Sequence, residues 1–215
     1  MPLILNFYSD VLCIWGWIGQ HHNQTLLTRW SPSQVQWQYK LLELYGDVAA
    51  RVKAQEKGEQ AWHDYAAMSE RLVSPIDGLS VHPDIWRHTR PTSSLMAHQA
   101  IKAVALCHGQ SFANSFTDSV RSAFFAQARD ISQFSVLREI LRENHVQEDA
   151  VLAMMQSGAA LAACVGEFRQ AEKDKIPGSP CWAMDNLRYR LWGNIKPDIV
   201  VATVEQLITT QDNPA

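Results

Sequence analysis

The chain has little of what marks a protein for export, membrane insertion or nucleic-acid binding. Its first residues, Met1 to Asp10, carry no basic stretch followed by an apolar core, and no segment approaches the roughly 20 apolar residues of a membrane span. A cytoplasmic location is expected. Charge of one sign is also missing: 19 basic and 22 acidic residues give a net charge of -3, scattered without the long runs that track phosphates or anionic lipid. Neither nucleic acid nor a membrane is an expected partner. Cysteine is scarce as well. Cys13, Cys107, Cys164 and Cys181 form no Cys-x-x-Cys pair, which supports neither a secreted disulfide framework nor a structural zinc site. Thiol chemistry, if present, has to be local. The histidines include His21-His22 and the group His82, His88 and His98, but adjacent histidines on a helix face different ways and no His-Glu-x-x-His pattern accompanies them, so no metal is expected.

What is present is enough apolar sequence for one core. With 215 residues, 47% of them hydrophobic, the chain can form one domain or one domain with an insertion. Leu3 to Tyr8 is a β-forming apolar run ended by Ser9-Asp10, which suits a buried strand. Trp15 to Thr28 has helical spacing and stops before Ser31-Pro32-Ser33. Cys13 falls in the short link between the two. Val35, Trp37, Tyr39 and Leu41 then alternate with Gln34, Gln36, Gln38 and Lys40, the period of a strand with one wet face.

From about Leu44 to Lys173 the signals are helical. Ser94 to His108 has start and stop signals in Pro91-Thr92-Ser93 and Gly109. Apolar residues recur at helical spacing from Phe112 to Phe124 and from Phe134 to Leu141, with further helices over Val151 to Gln156 and Leu161 to Ala171. Ile176 to Pro180 is rich in turn residues, Cys181 to Met184 is apolar, and Leu187, Tyr189 and Leu191 alternate with arginines, which reads as a hairpin. Ile195 to Leu207 closes the chain as an amphipathic helix, and Thr210 to Ala215 is expected to fray.

This order of elements resembles the DsbA family. The resemblance lies in Phe7-Tyr8-Ser9-Asp10-Val11-Leu12-Cys13-Ile14-Trp15-Gly16-Trp17-Ile18-Gly19, where FrnE-like members typically show an Asp, a Cys-Pro-Trp-Cys motif and an aromatic-Ile-Gly tail. It lies also in Gly178-Ser179-Pro180, the place of the family's cis-proline loop, and in Leu191-Trp192-Gly193-Asn194 after the hairpin. It implies an α/β protein of thioredoxin-like fold with a large α-helical insertion. Residues 1–45 and 174–215 would form the discontinuous thioredoxin-like domain, and 46–173 the helical insertion.

The resemblance makes Cys13 the catalytic residue, Ser179 and Pro180 the substrate-docking loop, and Trp15 and Gly16 neighbours of the substrate. A thiol at a helix start faces unpaired N–H groups, so its pKa is expected to fall below that of a free cysteine. Two positions depart from the dithiol pattern: Ile14 stands where proline is common, and Gly16 stands in place of the second cysteine. No Cys-x-x-Cys disulfide can form, which leaves two routes. One links Cys13 to glutathione as a cosubstrate, with no tightly bound cofactor; the related 2-hydroxychromene-2-carboxylate isomerases and kappa-class glutathione transferases use a serine at the matching position. The other makes Cys181 a resolving thiol.

The functional readings are accordingly a single-cysteine thiol-disulfide oxidoreductase, a glutathione-dependent isomerase or transferase, and a non-catalytic binding protein. Partners would be a thiol or disulfide substrate or a small aromatic molecule, with a homodimer as a possible assembly. Cys164 and Cys107 read as core, Trp15 and Trp17 as one pocket wall and one core residue. The segment Trp86 to Ser93 resembles a loop overhanging the family's active site, with charges that either bind an anion or stay solvated.

Overall fold

The computed structural model describes residues 1–26 and 28–212. The chain opens with β1 (Leu3–Ser9), α1 (Ile14–Leu26) and β2 (Val35–Leu41). Helices α2 (Val48–Val52), α3 (Ala54–Lys57), α4 (Glu59–Val73), α5 (Leu95–His108), α6 (Gln110–Phe125), α7 (Phe134–Glu143), α8 (Glu148–Gln156) and α9 (Ala159–Lys173) follow. The chain then returns through β3 (Cys181–Met184), β4 (Tyr189–Trp192) and α10 (Pro197–Asp212). The sheet order is β2-β1-β3-β4. Strand β1 runs parallel to β2, with Leu3 opposite Val35 and Ser9 opposite Leu41. It runs antiparallel to β3, with Phe7 opposite Trp182 and Tyr8 opposite Cys181.

The period of two along β1 decides what each face meets. Leu3, Leu5 and Phe7 join Val35, Tyr39, Trp182 and Met184 under Leu26 of α1 and Val200, Val204 and Leu207 of α10. Tyr8 points the other way, into a small cluster with Leu42, Cys181, Ala183 and Ala171 of α9. The largest core lies among the helices and reaches back to Val11, Leu12, Cys13 and Ile14. Cys13 therefore sits at the seam between the sheet and the helical block. The free edge of β2 is closed by side chains of α6: Tyr39 N–H donates to Asn114 Oδ1 (3.0 Å), whose Nδ2 donates to the Trp37 carbonyl (2.9 Å). That removes a template for edge-to-edge pairing.

Several expectations change. The stretch from Ser74 to Ser94 is irregular rather than helical, because Pro75, Pro83 and Pro91 each remove a backbone donor and Gly78 takes a positive φ of 74°. Leu187 lies in the hairpin turn with Asp185 and Asn186, all three at positive φ, so β4 starts only at Tyr189. Helix α1 ends at Leu26, short of Thr28. Helix α10 continues through Thr210 to Asp212 instead of fraying, and 213–215 lie outside the described residues. The second face of β2 is not simply wet: α9 crosses it, and Lys40 turns to Glu167 there at 3.8 Å. Among the described residues, no single helix is long and apolar enough to cross a membrane.

Candidate active site

Strand β1 ends in a turn whose geometry fixes Cys13. Cys13 N–H donates to the Asp10 carbonyl (3.2 Å), and its own carbonyl accepts the Trp17 N–H (3.0 Å), which makes Cys13 the N-cap residue of α1. The Asp10 side chain is fully buried. It accepts four hydrogen bonds, from Leu12 N–H (2.9 Å), Leu44 N–H (3.0 Å), Tyr45 N–H (3.0 Å) and the Ser94 hydroxyl (2.8 Å). One carboxylate thus ties the helix start to the segment after β2 and to the head of α5. Sequence reasoning places Asp10 in the motif without this role; a lone acid inside an apolar run is the signal that such a hub leaves.

His98 stands beside it, with Nε2 3.7 Å from Asp10 Oδ1. That nitrogen is placed to accept the Val11 N–H at 3.4 Å. Burial lowers the pKa of His98, in agreement with a neutral ring.

The Ser179–Pro180 peptide bond is cis. The Cys13 thiol donates to the Ser179 carbonyl at 3.8 Å, so the helix start and the loop meet as expected. Behind the thiol, the Ser9 and Ser179 hydroxyls lie 2.9 Å apart; Ser9 donates to the Asp10 carbonyl (3.0 Å), and Asp10 N–H donates to Ser179 Oγ (3.3 Å). A Cβ on Gly16 would stand 2.1 Å from Ser9 Oγ and 3.3 Å from the Asp10 carbonyl. The Ser9 hydroxyl, which has no distinguishing signal in the sequence, lies where a side chain at position 16 would enter and would have to turn away to admit one.

The expected depression of the Cys13 pKa is not what the structure gives. Cys13 is only 5% exposed, and burial pushes its thiol above the ordinary cysteine value. The Ser179 hydrogen bond and the backbone at Gly16 and Trp15 pull it back, while the Asp10 carboxylate adds to the rise. Helix-start donors are present, but desolvation outweighs them.

Tyr45 and Tyr65 form the wall contributed by the helical block. Their hydroxyls are 2.5 Å apart, and each is raised chiefly by burial with a contribution from Cys13, which puts both within electrostatic reach of the thiol. The Arg51 guanidinium lies 5.5 Å from the Tyr45 ring centre. Trp15 is half-buried against the same core. Trp17 stacks on Phe125 at 5.6 Å and donates to the Ser80 carbonyl at 3.1 Å.

In the loop from Trp86 to Ser93 both arginines pair with α4. Arg87 makes a two-pronged pair with Glu70 (2.5 and 2.9 Å) and Arg90 another with Glu59 (2.9 and 2.7 Å). Cys181 is not brought to Cys13: both are free thiols, and Cys181 packs in the Tyr8 cluster, separate from the core that holds Cys13. Cys164 is buried in the helical core and Cys107 packs half-buried against it. No three His, Cys, Asp or Glu side chains converge on one point among the described residues.

A family model described as the DSBA-like thioredoxin domain matches residues 4–205. No curated protein sequence matches. Solved structures similar to this chain include a candidate protein disulfide isomerase from Nitrosomonas europaea, 14% identical, with 98% of this chain and 99% of that one covered at a TM-score of 0.77. A second is the cytosolic disulfide reductase DsbM from Pseudomonas aeruginosa with GSH, 18% identical, covering 96% and 100% at 0.68. A third is a 2-hydroxychromene-2-carboxylate isomerase, 14% identical, covering 99% of each chain at 0.70. At such identities the likeness is one of fold.

Proposed function

Since the chain belongs to the DSBA-like thioredoxin domain family, whose members include thiol oxidoreductases, we propose that it is a single-cysteine oxidoreductase that exchanges disulfides with glutathione at Cys13. The observation that carries this reading is the combination at the helix start: one thiol against the Ser179 carbonyl, with Gly16 in the place of a second. Without a neighbouring thiol, the partner sulfur comes from outside the helix start, and glutathione is the source this reading assigns. The Cys13 thiolate attacks the glutathione sulfur of a mixed disulfide, forming a Cys13–glutathione disulfide and releasing the substrate thiolate. A second glutathione thiolate then attacks that bond, releasing oxidised glutathione and restoring Cys13. Arg51, exposed beside the tyrosine pair, is the cation available for a carboxylate of the tripeptide.

The raised Cys13 pKa favours a second reading, in which Cys13 stays protonated and donates a hydrogen bond to a bound glutathione thiolate, as an isomerase or transferase would require. One measurement separates them. Incubation with oxidised glutathione, followed by intact mass and peptide mapping, is expected to give one adduct, on Cys13, absent in Cys13→Ser and retained in Cys181→Ser. Saturable glutathione binding without an adduct selects the second reading, and an adduct confined to other cysteines overturns both.

A further inference from the structure

A cavity of about 350 Å³ lies where α5 and α9 pass over the Tyr8 face of the sheet, and Cys13 does not line it. Two ammonium groups and one carboxylate meet there. Lys40 Nζ is 3.8 Å from Glu167 Oε1, and Lys102 Nζ contacts Glu167 Oε2. The Lys40, Lys102 and Glu167 side chains are 27%, 12% and 11% exposed, so one positive charge is left over in a partly dry site. The other charges near Tyr8 are Asp174 and Arg190, of which the carboxylate acts on Tyr8 more strongly; Asp174 lines the adjoining groove and not this cavity.

Two further observations point into the same space. Tyr8 is 5% exposed and lines the cavity, and its hydroxyl, which is not among the buried unpaired polar atoms, faces the open space there. Burial, followed by the Asp174 and Glu167 carboxylates, pushes its pKa up to about 12, and the protonated hydroxyl can donate. Gly166 sits inside α9, where glycine costs about 1 kcal/mol relative to alanine. A Cβ there would meet nothing within 4 Å, so packing does not demand a glycine; what it leaves is open room beside Ala105, Leu106 and Ala163. The cavity also opens onto a groove of about 420 Å³ that shares Tyr8, Lys40 and Gln170.

We propose that this cavity binds a small organic monocarboxylate: its oxygens take the surplus charge of Lys40 and Lys102 and the Tyr8 hydroxyl, and its apolar body lies over Ala105, Leu106 and Gly166. A single negative charge balances the site, and the apolar wall offers nothing to a dianion such as phosphate.

The test uses the full chain titrated with benzoate, followed by backbone amide NMR and thermal shift. Saturable shifts are expected at Tyr8, Lys40, Lys102 and Gly166, with Cys13 and Gly16 unmoved. Lys102→Met should weaken binding by about tenfold, the scale of one lost charge-assisted hydrogen bond. Gly166→Leu should abolish it while the protein stays folded, since that side chain enters open space. Shifts that do not saturate, a tighter fit for inorganic phosphate, or unchanged binding in folded Gly166→Leu would each overturn the proposal.

Discussion

Cys13 and Cys181 stand on either side of the same loop and meet opposite surroundings. Cys181 is fully buried among Tyr8, Leu42, Ala171 and Ala183, and burial pushes its thiol up to about 11, eased only by Arg190. Cys13 is nearly as buried, but its sulfur meets Ser179 and the backbone at Gly16 and Trp15, and it lies beside a wall of two tyrosines. Both thiols are raised by desolvation. Only the first has hydrogen-bonding groups arranged around its sulfur. The difference lies in the donors supplied by the helix start, not in the depth of the cysteine.

The largest way to break this contrast is to remove what holds the helix start. Asp10→Ala leaves four donors without their acceptor, and each buried group left unpaired costs roughly 1–3 kcal/mol. A loss of about 3 kcal/mol or more in urea unfolding is expected on that scale, together with faster alkylation of Cys13 as the turn loosens. Asp10→Asn keeps an acceptor and should lose less. Equal stability of wild type and Asp10→Ala would show that the carboxylate is not the tie between sheet and helices.

A smaller change sharpens the contrast by giving Cys13 the neighbour it lacks. Gly16→Cys alone sets a Cβ against Ser9 Oγ, whereas Gly16→Cys with Ser9→Ala removes that obstacle. In oxidised glutathione the double variant is expected to form a disulfide between Cys13 and the introduced thiol more readily than the single one. The gain should be about tenfold, as relief of roughly 1–3 kcal/mol of overpacking would give. Equal yields, read as loss of two hydrogens by intact mass, would mean that Ser9 does not restrict the site.

Much of this arrangement is legible in the chain because it rests on local signals. The alternation from Val35 to Leu41 marks β2, the proline and glycine punctuation marks α5, and Gly178-Ser179-Pro180 marks a turn that the resemblance to the DsbA family sets opposite Cys13. What stays hidden depends on contacts between distant segments. Nothing near Ser9 shows that it meets Ser179, and nothing near Asp10 shows that Leu44, Tyr45 and Ser94 converge on it. The direction of the Cys13 pKa shift is missed for the same reason: the donors are sequence-local, but the burial that outweighs them comes from the helical block.

The smallest expected effect belongs to the buried thiols on the other side of the contrast. Cys181 and Cys164 are pushed up to about 11 and about 12, against 9.0 for a free cysteine on the same scale. Raised values mean that the folded state keeps these protons after the unfolded chain has lost them, so unfolding releases protons and stability falls as pH rises. The contribution is whole below about pH 9 and is lost progressively from there through pH 11 to 12. Cys181→Ala should therefore flatten the alkaline fall in stability even if it lowers stability at neutral pH by opening a small void. Urea midpoints taken from about pH 7 to about pH 10.5 check this through the slope alone. An unchanged slope would mean that Cys181 ionises as easily in the folded protein as in the unfolded chain, and burial would no longer separate it from Cys13.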